Sequence, residues 1–303
     1  MIAALAFVVK KLLDMDIKPS QFRSGKVAAA LAAGAVIQTV IMLLASIPWL
    51  IFTRSLSGVR ISFSAAMPVY TRSNLYKYIP GNVFQYVGRN KLAADMHISH
   101  VDVAFATVLD VFFSMVWAGI FSVCLLGGRI AGLLGKYWRN FVIIGAAGTV
   151  LLVVLVILVR MKLRDKAAAY IARHTETLHK CDRRQLAGGI FYYFAQYIVS
   201  AGMYFLCIVL VVPEASVSEQ VALTGAFIFA WIVGFITPGA PGGIGIREGV
   251  MIFVSGDKYS DRIVLFVLVM RISSIIADIA AFVVGSLFQG RNTEGKAEHY
   301  PEA

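Results

Sequence analysis

The chain is 303 residues long, 59% hydrophobic and only 15% charged, with a mean hydropathy of +0.77 and a formal net charge of +11. A soluble domain carries about 25% charged residues, so this composition excludes an ordinary soluble protein and points to an all-α polytopic membrane protein. In a soluble chain the basic excess would suggest nucleic acid; here Lys and Arg flank apolar runs, which ties them to membrane orientation and anionic headgroups and predicts no nucleic-acid partner.

In chain order, residues 1–9 are apolar but short, lack a basic leader and run into Lys10-Lys11, so they read as the stub of a span rather than a cleavable signal. A basic stretch with Lys18, Arg23 and Lys26 follows. Residues 27–52 are long enough to cross a bilayer, and Ala28, Ala29, Ala30, Ala32, Ala33 and Gly34 mark a face for another helix. Residues 61–79 are only moderately apolar and end at Pro80-Gly81. Residues 101–126 span despite Asp102 and Asp110, residues 127–140 form a glycine-rich loop, and residues 141–159 span again. Residues 160–184 carry eight basic residues, against Asp165, Glu176 and Asp182, and read as a cytoplasmic surface segment under anionic headgroups. Spans at 188–212 and 263–288 follow, the latter holding Arg271 and Asp278, and 290–303 is a polar, loose tail. One transmembrane domain is expected over 1–289, with halves at about 27–126 and 141–288 and a basic cytoplasmic loop at 160–187.

Between the apolar runs 221–236 and 249–254 lies Thr237-Pro238-Gly239-Ala240-Pro241-Gly242-Gly243-Ile244-Gly245-Ile246-Arg247-Glu248. Its glycines and prolines cannot continue a helix comfortably, so the backbone opens. Open backbone at membrane depth survives only when buried in protein or lining a wet cavity. A fresh helix N-terminus beside an Arg suits a phosphate; a solvated turn between two spans is the plainer alternative. Tyr78-Ile79-Pro80-Gly81 followed by Gly88-Arg89 repeats the arrangement in the first half. Broken segments at corresponding places in two halves are a signature of an inverted-repeat transporter core. With the basic loop inside, two re-entrant elements would enter from opposite sides, which puts residues 10–26 outside. If residues 61–79 cross instead, the N-terminus returns to the cytoplasm; the sequence leaves both open.

Tyr78-Ile79-Pro80-Gly81-Asn82-Val83-Phe84-Gln85-Tyr86-Val87-Gly88-Arg89 and Pro241-Gly242-Gly243-Ile244-Gly245-Ile246-Arg247-Glu248-Gly249 resemble the two signature segments of the lysylphosphatidylglycerol synthase transmembrane-region family, flippase-like proteins that also form the membrane part of multiple-peptide-resistance enzymes. The resemblance covers nearly the whole chain. It implies a multi-pass protein of a bacterial or archaeal plasma membrane that moves a phospholipid or polyprenyl-phosphate-linked lipid between leaflets. The soluble aminoacyl-transferase domain of the large synthases is absent, so synthesis of aminoacylated lipid is not expected. Where the family often shows Glu-Arg in the third span, this sequence has Asp110-Val111.

The substrate-binding candidates are Arg89 and Arg247, each after a break, with Gly81, Gln85, Gly242, Gly243, Gly245 and Glu248 around them. Glu248 is expected to balance Arg247, and Asp110, Arg271 and Asp278 to form an intramembrane charge network. Tyr192, Tyr193 and Tyr197 fit an interfacial belt. His97 and His100 stand three apart without a carboxylate or Cys to complete a metal set, the cysteines Cys124, Cys181 and Cys207 show no metal spacing, and no cofactor is expected. Neither a Walker motif nor a nucleophile elbow appears, which argues against an ATPase or hydrolase. The competing reading is a membrane subunit or transferase in lipid-linked glycan or aminoacyl-lipid synthesis. It calls for a carboxylate-rich loop to hold a metal and a sugar phosphate, and the sequence offers none. Partners are therefore the lipid itself, with a second copy of the chain or a synthase as protein partner.

The orientation generates a prediction. Cys181 lies in the basic segment, so an impermeant thiol reagent applied to intact cells should leave it unlabelled and label it after lysis, with Cys181→Ser as the blank. Labelling before lysis would reverse the topology.

Overall fold

The computed structural model describes residues 24–79, 84–96, 98–129, 183–237 and 245–297. All regular structure among them is helical: α1 (Gly25–Leu44), α2 (Ser46–Ser57), α3 (Phe63–Asn74) with a 3₁₀ turn (Leu75–Tyr78), α4 (Phe84–Ala94), α5 (His100–Leu126), α6 (Arg183–Val211), α7 (Val217–Ile236), α8 (Ile246–Ser255), a 3₁₀ turn (Asp257–Tyr259) and α9 (Ser260–Ala297). Among the described residues five segments are long and apolar enough to cross a membrane, Gly25–Ser57, His100–Leu126, Arg184–Val211, Val217–Ile236 and Ser260–Phe288. The expected span at 141–159, and the basic loop apart from its last residues, lie outside the described residues.

Local chemistry sets the element ends. The stretch read as one span at 27–52 is interrupted at Ala45, three residues before Pro48, whose ring supplies no N–H to the helix. Gly58 closes α2 with φ of 69°, a conformation most residues avoid. The Ser62 hydroxyl caps α3 by accepting from the Ala65 N–H at 3.2 Å. At α7, Ser216 and Glu219 form a reciprocal capping box, so the helix begins before its apolar run and reaches 20 residues, span length. The first limb of the second broken element is thus longer than the apolar pattern alone implies. At the other end of the chain α9 runs past Phe288 to Ala297, where the sequence suggested a loose tail.

α5 is built inside out relative to a helix of a soluble bundle. Along α5 the buried positions are mostly small or polar, Asp102, Ala106, Thr107, Asp110, Ala118 and Ser122 beside Val103 and Leu126, while Phe105, Val108, Phe112, Val116, Ile120 and Val123 are exposed. Lipid is as apolar as these side chains, so association rests on close backbone approach and internal polar contacts rather than on hiding apolar area. Gly225 of α7 shows the approach: a Cβ there would lie 2.8 Å from the Leu126 backbone nitrogen and 2.9 Å from Leu125 Cβ, and the Ser122 hydroxyl donates to the Gly225 carbonyl at 3.1 Å.

The two largest apolar clusters among the described residues divide the helices between them. One joins α2, α3, α4, α5 and α6 around Trp49, Phe52, Val103 and Tyr193; the other joins α1, α6, α7, α8 and α9 around Cys207, Phe227, Met251 and Phe266. α1 therefore packs with the second half of the chain. Gly34 admits Ser273, whose hydroxyl donates to the Leu31 carbonyl at 3.1 Å, and the Cys207 thiol reaches the Ala30 carbonyl at 3.4 Å. The sequence halves at 27–126 and 141–288 are consequently not the packing halves.

Gly225→Val should lower stability by about 1–3 kcal/mol through overpacking of α5 against α7. Gly119→Val, where a Cβ meets nothing within 4 Å, should have little effect. Thermal unfolding of the two variants in detergent tests the contrast, and equal loss would show that the α5–α7 approach is not tight.

Candidate functional site: a charged cavity among the helices

The short helices α4 and α8 and the long spans converge on a cavity of about 330 Å³. Its polar wall comes from α3, α4, α6 and α9, with Tyr70, Gln85, Arg89, Tyr193, Gln196 and Asp278 among the lining residues. Its apolar wall comes mainly from α1 and α7, with Ile41, Met42, Phe227, Ile228, Trp231 and Phe235. Arg247 of α8 and Arg271 of α9 also line it. The volume is at the small end of the roughly 300–1,000 Å³ usual for ligand sites.

Arg89 is 3% exposed and donates to Asp110 Oδ2 at 3.0 Å and to the Ser73 hydroxyl at 3.3 Å. Its guanidinium lies 3.8 Å from the Tyr70 ring centroid and 5.8 Å from that of Trp49. Asp110 also accepts from the Tyr70 hydroxyl at 3.2 Å and the Tyr193 hydroxyl at 2.5 Å. α3, α4, α5 and α6 thus meet at a single carboxylate. Arg89 therefore has a carboxylate partner within the protein.

A second carboxylate, Asp278 of α9, is 4% exposed and accepts from Asn74 at 2.7 Å and the Tyr78 hydroxyl at 2.5 Å, with Lys77 Nζ at 2.7 Å. These donors sit at the end of α3 and in the turn that leads into Pro80-Gly81, so the last span anchors the first break. α4 is then pressed onto the same turn: a Cβ on Gly88 would meet the Tyr76 ring at 2.1 Å.

At the second break the partners differ from the expected ones. Glu248 makes its direct ion pair with Arg271 and not with Arg247. Its carboxylate lies 3.0 Å from Arg271 Nη2 and accepts the Gly245 N–H at 3.0 Å, capping its own helix. Consecutive helical residues diverge around the axis, so Glu248 and Arg247 do not face each other, whereas Arg271 on α9 is within ion-pair distance of Glu248. Gly245 itself takes φ of 82° at the start of α8. With Glu248 at the helix N-terminus, the anion-binding capacity of this break rests on the Arg247 side chain. Among the described residues, Arg247 has no carboxylate or hydrogen-bond partner, and its Nε is buried and unpaired.

The family comparison adds to this geometry. The profile described as lysylphosphatidylglycerol synthase TM region matches residues 2–281, nearly the whole chain. The chain belongs to this family. No curated protein and no solved structure matches the chain. In this lysylphosphatidylglycerol synthase TM region protein, the Asp110-Val111 that departs from the expected Glu-Arg supplies the counterion of Arg89.

Of the residues singled out from sequence, Gln85, Arg89, Asp110, Arg247, Arg271 and Asp278 all line the cavity. Glu248 is held behind Arg271, and Gly245 starts α8. Gly81, Gly242, Gly243 and His97 lie outside the described residues. His100 is engaged by Asn90. Tyr193 and Tyr197 are not in a belt: both are buried and line the cavity. The sequence reading missed Tyr70, Asn74, Lys77, Tyr78 and Gln196. A signal for part of the set exists, because Tyr193, Gln196, Tyr197, Ser200 and Tyr204 recur at helical spacing along one face of α6.

Breaking the buried pair should cost about 3–5 kcal/mol, because one charge is left uncompensated. We therefore predict strong destabilisation of Arg89→Met and of Asp110→Asn, with the double variant recovering a large part of the loss. Unfolding measurements on all three variants would expose additive losses, the result that denies the coupling.

Proposed function

We propose that the cavity takes the phosphate of a membrane lipid headgroup on Arg247, and that the protein carries this phospholipid or polyprenyl-phosphate-linked lipid between leaflets of a bacterial or archaeal plasma membrane. The observation that carries the reading is the charge balance. Lys77, Arg89 and Arg271 each have a carboxylate partner, at 2.7, 3.0 and 3.0 Å, while Arg247 has none among the described residues. A buried guanidinium without a direct ion pair favours binding an anion, and its planar fork suits phosphate oxygens. Membership of a family described by a phospholipid synthase's membrane region supports a lipid as the source of that anion.

A cavity of about 330 Å³ accommodates a headgroup and leaves acyl chains in the bilayer. We read α4 and α8, the short helices that follow the breaks, as the moving parts of an alternating-access cycle. In support, each break is followed by a short helix tied to the next span by an ion pair: Arg89 to Asp110, 21 residues on, and Glu248 to Arg271, 23 residues on, with the signs exchanged. That correspondence favours an inverted repeat. The cycle makes and breaks no covalent bond.

Arg247→Ala should weaken headgroup binding by about 2–5 kcal/mol, since the phosphate loses its buried partner. Arg247→Lys keeps the charge without the fork and should retain weak binding. Lipid transfer in proteoliposomes should fall in the same order, and wild-type transfer by Arg247→Ala would remove the reading.

A further inference from the structure

Four helices leave the cavity in the same order toward one face. α6 lines it from Tyr193 to Tyr204, then buries Cys207, Ile208 and Val211 before the loop at 212–216. α7 begins beyond that loop, buries Leu223 and Ala226, and lines the cavity from Phe227 to Phe235. α8 brings Arg247 to the cavity and buries Met251 one turn on, toward the turn Asp257–Tyr259. α9 buries Ile263, Phe266, Val267 and Val269 before it lines the cavity from Met270 to Asp278. These buried side chains belong to one apolar cluster, so an apolar layer separates the cavity from this face.

Beyond the layer the connections between the same helices are clasped by charge. Glu219, already held by the Ser216 N–H and hydroxyl at 2.8 and 2.9 Å, accepts from Lys258 at 2.9 Å and from the Tyr259 hydroxyl at 3.2 Å. Arg262 donates to Glu214 at 3.0 Å. Both ion pairs are open to solvent, where a pair contributes little net stability and is screened by salt. They part at small cost, unlike the buried pair of Arg89 and Asp110. We propose that the structure is closed toward the face holding residues 212–216 and 256–259, and that the clasp and the apolar layer beneath it are a gate that parts to open the cavity there. The inference rests on the reading of the cavity as a lipid-carrying site and adds which side chains shut it.

The first measurement needs no lipid movement. In a chain with Cys124, Cys181 and Cys207 replaced by Ala, Ser274→Cys places a thiol in the cavity lining and Ser218→Cys one on the exposed face. An impermeant thiol reagent is applied to intact cells and to inside-out vesicles, and the preparation in which Ser218→Cys reacts is the one presenting the gate. There, Lys258→Gln with Arg262→Gln should speed labelling of Ser274→Cys about threefold to tenfold, the effect of losing two exposed pairs. An unchanged rate would overturn the gate. The second measurement follows transfer of a phosphatidylglycerol with a fluorescent acyl chain in proteoliposomes. Carbodiimide condenses the Lys258 amine with the Glu219 carboxylate, an amide forming as water is lost, and peptide mass spectrometry gives the linked fraction. Transfer should fall in proportion to that fraction, while Lys258→Gln protein treated alike keeps its rate. Linked protein that still transfers lipid, or equal loss in both proteins, would overturn the gate. Wild-type protein that transfers no lipid before treatment would instead remove the lipid-carrying reading, and the labelling rates would still decide the gate.

Discussion

The contact between Arg89 and Asp110 decides how the first break is held. Neither charge survives alone away from water, and together they still need further donors to fill the carboxylate. Those donors are Tyr70 and Tyr193, so the requirement of one buried ion pair recruits α3, α4, α5 and α6 to one point. The second break repeats the logic with Glu248 and Arg271, and Asp278 links the two regions by gathering Asn74, Lys77 and Tyr78. The cavity is what is left between these tied points.

Such a network narrows what the site can be. Buried pairs contribute little net stability compared with apolar packing, but removing one partner is costly. They therefore fix geometry more than they strengthen the fold. With three of the cavity's cations fixed in this way, Arg247 is the cavity cation left without a direct ion pair among the described residues.

The membrane class and the positions of both breaks were legible because each depends on composition or on local backbone chemistry: apolar runs of span length, and Pro-Gly at Pro80-Gly81 and Pro238-Gly239. The charged residues at the cavity were legible for a similar reason, since an ion inside an apolar run calls for a task. Their partners were not. Adjacency in sequence suggested Glu248 for Arg247, while the helical turn between them gives Glu248 to Arg271, 23 residues away. Tyr193 and Tyr197 were misread because an amphipathic ring suits a wet cavity as well as a membrane interface; only their spacing with Gln196, Ser200 and Tyr204 separates the two. That α1 packs with the second half rather than the first could not be read from a small-residue face, which states that a partner exists and not which one.

The docking of α1 on α9 carries a consequence for biogenesis. Ser273 meets the Leu31 carbonyl across 242 residues of chain. At ribosomal rates of about 5–20 residues per second, the surface of α1 waits on the order of ten seconds or longer for the helix that covers it. During that interval its Ala30 and Gly34 stripe faces lipid or a transient neighbour, and any helix with a matching run of small residues competes for it. Closure of the second cluster is therefore a late step of assembly, completed only when the last span has entered the bilayer.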